Sequence, residues 1–138
     1  TLAVRMERHC QNALSVAEYL KNHKKVKWVN FGGLSEDENN ELAKKYCGGV
    51  PASLLTFGIE GGFEAGVRFY DSLEMIKRLV NIGDAKTLAC HPASTTHRQL
   101  TEAEQEAAGV TPETMRICVG IEHIDDIVAD IAQALDKA

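Results

Sequence analysis

Arg116 stands in the run Thr114-Met115-Arg116-Ile117-Cys118-Val119, directly before Gly120. A guanidinium among apolar neighbours is costly unless it meets an anion. Its planar fork offers two parallel hydrogen bonds to a carboxylate, which an ammonium group cannot reproduce. Recognition of a carboxylate is therefore the chemistry this strand could do. Residue type alone favours a plainer alternative, an internal pair with a carboxylate such as Asp84 or a side chain reaching solvent.

Other chemistries find less support. Cys90, His91 and His97 form the one local cluster of soft ligands, but Cys90 and His91 are adjacent and on a strand would face opposite ways. The close pairs that zinc sites favour are missing, so no metal is expected. Ser94, Thr95 and Thr96 lie near His91 and His97 without a G-x-S-x-G elbow, which argues against a nucleophilic serine. Gly58-Ile59-Glu60-Gly61-Gly62 follows a strand, yet it lacks the Lys-Ser/Thr of a phosphate loop, and Glu60 would repel an anion.

The elements that must position these residues follow from periodicity. Leu2 to Leu20 repeats apolar residues at helical spacing, and Lys21 to Lys25 should close that helix with donors for its last carbonyls. Val26 to Phe31 reads as a strand. Ser35-x-x-Glu38 predicts a capping box opening a helix with Leu42, Ala43 and Tyr46 inward, stopped by Gly48-Gly49. Ser53 to Ile59 is a second strand, apolar enough to be buried. Phe63 to Val80 is helical with Val67, Tyr70, Leu73, Ile76 and Leu79 inward, and Asp71-Ser72 is the point where it could divide. Asn81 to Asp84 is a turn and Thr87 to Cys90 a third strand. A polar loop runs over Ala93 to Gln99. Thr101-x-x-Glu104 caps a short helix ended by Gly109. Thr114 to Val119 is the fourth strand, and Ile124, Ile127, Val128, Ile131 and Leu135 mark a closing helix. Four strands alternating with helices predict an α/β fold, a two-layer α+β sandwich with helices packed on a four-stranded sheet.

The chain's 138 residues suit one domain, 1–138. Hydrophobic residues make up 44% and charged ones 25%, which excludes disorder. A net charge of −5 offers no footprint for nucleic acid or an anionic membrane. No C-x-x-C pair joins Cys10, Cys47, Cys90 and Cys118, so free thiols and a cytoplasmic, reducing location are expected. Apolar neighbours suggest burial for Cys47, Cys90 and Cys118. A chain opening inside a long amphipathic helix is expected to continue something longer, leaving apolar surface on that helix and the sheet edge and so favouring self-association.

Three strings carry a resemblance: Asn81-Ile82-Gly83-Asp84-Ala85-Lys86-Thr87-Leu88, His91-Pro92-Ala93-Ser94-Thr95-Thr96-His97-Arg98-Gln99-Leu100, and Arg116-Ile117-Cys118-Val119-Gly120-Ile121-Glu122-His123. With the opening Leu2 to His9, they make the chain resemble the C-terminal domain of the pyridoxal-phosphate enzymes of cysteine and methionine metabolism. Within that group it looks most like the O-acetylhomoserine sulfhydrylase branch. The resemblance implies a fold-type-I C-terminal domain. It implies a parent that combines O-acetylhomoserine with sulfide to give homocysteine and acetate, with pyridoxal phosphate as electron sink. Cystathionine synthases and lyases are the alternative inside the family, and a standalone non-catalytic binding module the alternative outside it.

By the same resemblance Arg116 falls on the arginine that clamps the substrate α-carboxylate. Asn81 falls where relatives often carry a serine that helps hold it, a departure that leaves either the amide or the backbone to make the contact. Thr96 is a possible support, and His91 to His97 backs the site. The family holds its cofactor covalently through a lysine in a Ser/Thr-rich motif upstream. Lys21, Lys44, Lys77 and Lys86 sit in no such motif. No catalytic, cofactor-binding or metal residue is therefore expected in this chain. Its expected partners are an amino-acid substrate, an upstream cofactor domain and further copies in a homo-oligomer, a tetramer by resemblance. Borohydride reduction after incubation of the 138-residue chain with pyridoxal phosphate is expected to leave no single stoichiometrically labelled lysine; peptide mass mapping checks this.

Overall fold

Helical and extended segments alternate in the computed structural model, which describes residues 1–49 and 51–138. In chain order they are α1 (Leu2–Lys21), β1 (Val26–Asn30), α2 (Asn40–Cys47), β2 (Leu54–Ile59), α3 (Gly62–Ser72), β3 (Lys77–Arg78) and β4 (Leu88–Cys90). A single 3-10 turn at Pro92–Ser94 precedes α4 (Glu102–Ala107), β5 (Thr114–Cys118) and α5 (Ile124–Lys137). The sheet order is β1-β2-β5-β4-β3. Its pairs are antiparallel except β3 with β4, which is parallel. One face is covered by α1, α3 and α5, so the two-layer expectation holds, with five strands rather than four.

The period of two along each strand sorts the side chains between two faces. Leu55, Phe57, Ile59, Met115 and Ile117 point to the helices and are almost wholly buried with Val16, Leu20, Phe69, Ile127 and Ile131. The rings of Phe57 and Phe69 meet edge to face at 5.7 Å, a favourable aromatic geometry. The other face carries no helix layer. There the indole of Trp28 lies over Gly58, where an added Cβ would collide with it.

Several readings of the sequence change. The helix expected over Phe63 to Val80 stops at Ser72, because the carboxylate of Asp130 on α5 accepts the main-chain N–H groups of Glu74, Met75 and Ile76 at 3.0, 3.0 and 2.8 Å. Those amides cannot also serve a helix, and the freed chain forms β3. Ile76 is buried all the same, while Leu79 is 53% exposed. The expected capping box at Ser35 and Glu38 does not form; Asp37 instead accepts from Phe31 and Asn39 at 2.9 and 2.8 Å, and α2 starts at Asn40. That helix turns Asn40 and Ala43 inward, while Leu42 and Tyr46 are exposed. The Asn40 amide donates to the Gly32 carbonyl at 2.9 Å, which sets its rotation. All four cysteines are free, but it is Cys47 that is exposed, and Cys10 is buried with Cys90 and Cys118.

Caps behave more locally. The capping box at Thr101 and Glu104 is present, and Gly109 follows α4 with φ 73°, the left-handed region that glycine enters at no steric cost. The Asn22 amide closes α1 on the Glu18 carbonyl at 2.8 Å. Lys25, expected to serve the same helix, instead donates to the carbonyls of Leu135, Asp136 and Ala138 at 2.8, 3.1 and 3.1 Å. Its cation thus meets the negative end of α5. No helix of the described residues is long and apolar enough to cross a membrane.

A cluster of polar atoms joins α1, the loop before β4 and the turn after β5. His9 Nδ1 donates to the Val119 carbonyl at 2.7 Å, and the Asn12 amide reaches the carbonyls of Gly120 and Glu122 at 3.0 and 2.9 Å. Glu122 accepts both the N–H and the hydroxyl of Thr87, at 2.6 and 2.8 Å, and that hydroxyl accepts the Gly120 N–H at 2.8 Å. Gly120 has no room for a side chain: a Cβ there would lie 2.5 Å from both Ala85 O and Thr87 N. His91 is also enclosed. Its Nε2 donates to the Pro112 carbonyl and its Nδ1 meets the Ser94 hydroxyl, both at 2.8 Å. The ring packs on Gly66 of α3 and tilts against Phe63.

Two outcomes follow from this packing. Gly120→Ala should lower unfolding stability by about 1–3 kcal/mol, the usual cost of forcing atoms into a filled site, as read by urea denaturation. Burial holds the His91 imidazole below its usual value of 6.5, against the opposing pull of its bond to Pro112. The unfolded chain therefore takes up this proton first as pH falls. Relative to His91→Gln, stability should be constant above that value and decline below it, by at most about 1.4 kcal/mol per pH unit. Thermal melts of both proteins from pH 8 to 5 check the sign.

Candidate functional site

The helix-free face of the sheet presents one row across four strands: Asn30, Thr56, Arg116 and Cys90 are successive register partners. Arg116 is placed there by alternation alone, since its neighbours Met115 and Ile117 fill the opposite face. The arginine is half-buried. On the side of β1 and β2 a hollow of about 220 Å³ is lined by Asn30, Leu54, Leu55 and Thr56. Other hollows are larger, but Glu102, Glu106 and Glu113 line one of about 330 Å³, and Glu74 and Asp126 one of about 470 Å³. Carboxylates there would repel an acidic ligand. Thr56, at the edge of the smaller hollow, is the register partner of Arg116.

No carboxylate of the described residues pairs with Arg116. Asp84, the internal partner considered from sequence, bonds Lys86 instead at 3.0 Å. The bonds to the Lys86 N–H and ammonium hold the Asp84 carboxyl below its usual range. Arg116 Nη2 finds only neutral partners, the Asn81 carbonyl at 3.5 Å and Cys118 Sγ at 3.7 Å. The Cys118 thiol in turn donates to the same carbonyl at 2.9 Å. Burial pushes the thiol's pKa up, with the nearby guanidinium pulling against that rise. The sulfur is therefore protonated near neutral pH.

Asn81 is thus brought to Arg116, but by its main chain. Its Oδ1 accepts from the following Ile82 N–H at 2.8 Å, and its Nδ2 makes no hydrogen bond among the described residues. Thr96 is exposed, and its hydroxyl is taken by His97 Nδ1 at 2.8 Å. Among the described residues it makes no hydrogen bond to Arg116. The segment after β4 does lie against this face, with the Cys90 sulfur 3.3 Å from the Thr95 hydroxyl. His91 points to the other side, as expected of adjacent strand residues. Among the described residues no group of three metal-ligating side chains converges. Sequence reasoning missed Cys118 and Glu122. The signal was slight: a cysteine two residues from the arginine, hence on its face, and an acid just past a glycine turn.

Leu79, Val80 and Ile82, on either side of Asn81, are 53%, 47% and 65% exposed. They form an apolar rim to the Arg116 face. On α1, Leu2 and Val4 are likewise exposed.

Comparison with known proteins identifies the family. Residues 1–136 match the model of the family described as Cys/Met metabolism PLP-dependent enzyme. An O-acetyl-L-homoserine sulfhydrylase of Leptospira meyeri is 55% identical over 98% of this chain and 31% of the relative's length. A homocysteine synthase of Schizosaccharomyces pombe is 51% identical over 100% of this chain and 32% of its own. Among solved structures, a putative O-acetylhomoserine (thiol)-lyase of Campylobacter jejuni superposes with a TM-score of 0.90 at 41% identity, covering 97% of this chain and 32% of that one. The chain therefore spans about a third of the length of the relatives it matches.

The Campylobacter structure contains a pyridoxyl-lysine monophosphate. The lysines of this chain do not fit that attachment. Eight of the nine are exposed, and the ninth, half-buried Lys25, is bound by the carbonyls of α5. None stands beside Arg116 in a desolvated site of the kind that activates an amine. With a matching family model over nearly its whole length and a matching fold, the chain belongs to the Cys/Met metabolism PLP-dependent enzymes.

Proposed function

We propose that this chain is the substrate-binding C-terminal domain, 1–138, of a pyridoxal-phosphate-dependent O-acetylhomoserine sulfhydrylase. That enzyme would join O-acetylhomoserine and sulfide into homocysteine and acetate. The reading is supported by the sulfhydrylase and homocysteine synthase names of relatives 55% and 51% identical. The observation that carries the chain's own role is Arg116, a half-buried guanidinium on an open sheet face with neutral partners only.

A planar cation with spare N–H groups, one strand from a hollow at its register partner Thr56, suits the two oxygens of an α-carboxylate. Gripping that end of the amino acid would fix the direction of the Cα–H bond, and such orientation can contribute strongly to rate. The unpartnered Nδ2 of Asn81 would add a donor to the same carboxylate. Thr96 would support the loop rather than touch substrate. The cofactor lysine would come from an upstream domain of the parent, and the apolar rim at Leu79, Val80 and Ile82 would face that domain or a further subunit of a homo-oligomer. Four free cysteines accord with a reducing compartment.

In the intact parent enzyme, Arg116→Leu should lower kcat/KM for O-acetylhomoserine by about a hundredfold, the scale of a lost charge-assisted pair. Arg116→Lys, which keeps charge but loses the fork, should fall between. Steady-state formation of homocysteine from O-acetylhomoserine and sulfide measures both. Unchanged kinetics in Arg116→Leu would overturn the role, and cystathionine formed from cysteine in place of homocysteine would move the parent to the synthase branch.

A further inference from the structure

Cys118 is the residue next along β5 on the face that bears Arg116, and it is 5% exposed. Its sulfur touches both things that define the site: the Asn81 carbonyl at 2.9 Å and Arg116 Nη2 at 3.7 Å. We infer that Cys118 is a positioning residue for carboxylate recognition, its thiol tying the Asn81 loop to β5 while its sulfur receives one N–H of Arg116. The inference rests on the reading of Arg116 given above.

The chemistry of the thiol suits this place. Sulfur is a weak donor and a weak acceptor. It can therefore orient one edge of the guanidinium without neutralising the charge, leaving the remaining N–H groups for a ligand. A carboxylate in its position would satisfy Arg116 internally and compete with substrate. An apolar side chain would leave the Asn81 carbonyl facing Arg116 alone, at 3.5 Å. That distance is at the weak end of hydrogen bonding, so the loop and the fork would both lose their fixed relation. Among the described residues Cys118 and Arg116 are the two donors to this carbonyl. Protonation of the thiol, favoured by its burial, keeps the donor in place.

The test uses the intact pyridoxal-phosphate enzyme that contains this domain, with O-acetylhomoserine and sulfide as substrates. Cys118→Ala and Cys118→Val should each raise KM for the amino acid about five- to tenfold, the effect of losing one orienting hydrogen bond, with the change falling on KM more than on kcat. Cys118→Ser, which retains a donor and an acceptor, should stay within about threefold of wild type. In an Arg116→Leu background Cys118→Ala should add nothing, because residues acting through one contact are non-additive. Normal KM in Cys118→Ala or Cys118→Val, failure of Cys118→Ser to rescue, or additive losses would overturn the inference while leaving Arg116 in its role. A normal KM in Arg116→Leu alone would instead overturn the reading beneath it. Should Cys118→Ala fail to fold, Cys118→Val decides; should both fail, the residue is structural and the inference falls.

Discussion

The carboxylate of Glu122 holding the N–H and hydroxyl of Thr87 is the contact on which the geometry of the open face depends. It fastens the end of β5 to the start of β4 from outside the sheet ladder. The Thr87 hydroxyl passes the connection to the Gly120 N–H, and Asn12 and His9 bring α1 to the same turn. Charge-assisted bonds to main-chain amides are stronger than neutral ones. The absence of a side chain at Gly120 lets the strands approach closely enough to make them. The loop Asn81 to Lys86 therefore has a fixed path, and that path carries the Asn81 carbonyl to Arg116.

Sheet alternation and that loop together produce an arginine with an unusual set of neighbours. Its own strand buries Met115 and Ile117 on the opposite face, which anchors the guanidinium at the helix-free surface. The partners available there are a carbonyl, a thiol and the row of Asn30, Thr56 and Cys90. None carries a negative charge. A cation in this state has been partly desolvated without being paired, so an incoming carboxylate recovers more free energy than it would at a fully hydrated surface. The acidic hollows elsewhere have the opposite preference. Electrostatics thus favours the Arg116 face over those hollows for a negatively charged group.

Much of this was legible beforehand because it rests on local signals. The alternation Met115, Arg116, Ile117 gives the arginine its own face, Thr101 and Glu104 give a cap, and Gly109 ends α4. The failures are equally physical. Ser35 and Glu38 have the right spacing for a cap, but Asp37 binds the Phe31 and Asn39 amides instead and the helix starts later, at Asn40. The apolar period from Phe63 to Leu79 suits a helix, yet Asp130, 54 residues beyond Ile76, withdraws three amides from it. Tyr46 and Leu42 look like core residues, but α2 is rotated by the Asn40 bond to Gly32. Family resemblance supplied the chemistry proposed for a larger enzyme; the residues of this chain could not, since none of its lysines is suited to hold the cofactor.

The amino-acid sequence by itself determined the α/β character, most of the helices and strands and the isolation of one arginine among apolar strand residues. Those properties depend on side chains within a few positions of each other. Only the tertiary structure decided that Asp84 would not neutralise Arg116, that the Asn81 carbonyl and the Cys118 thiol would flank it, and that Glu122 would hold the loop in place. These contacts join residues 35 to 37 positions apart. No local preference records which distant polar group will win a given donor, because the choice is made when β4 and β5 pair and the loops between them close.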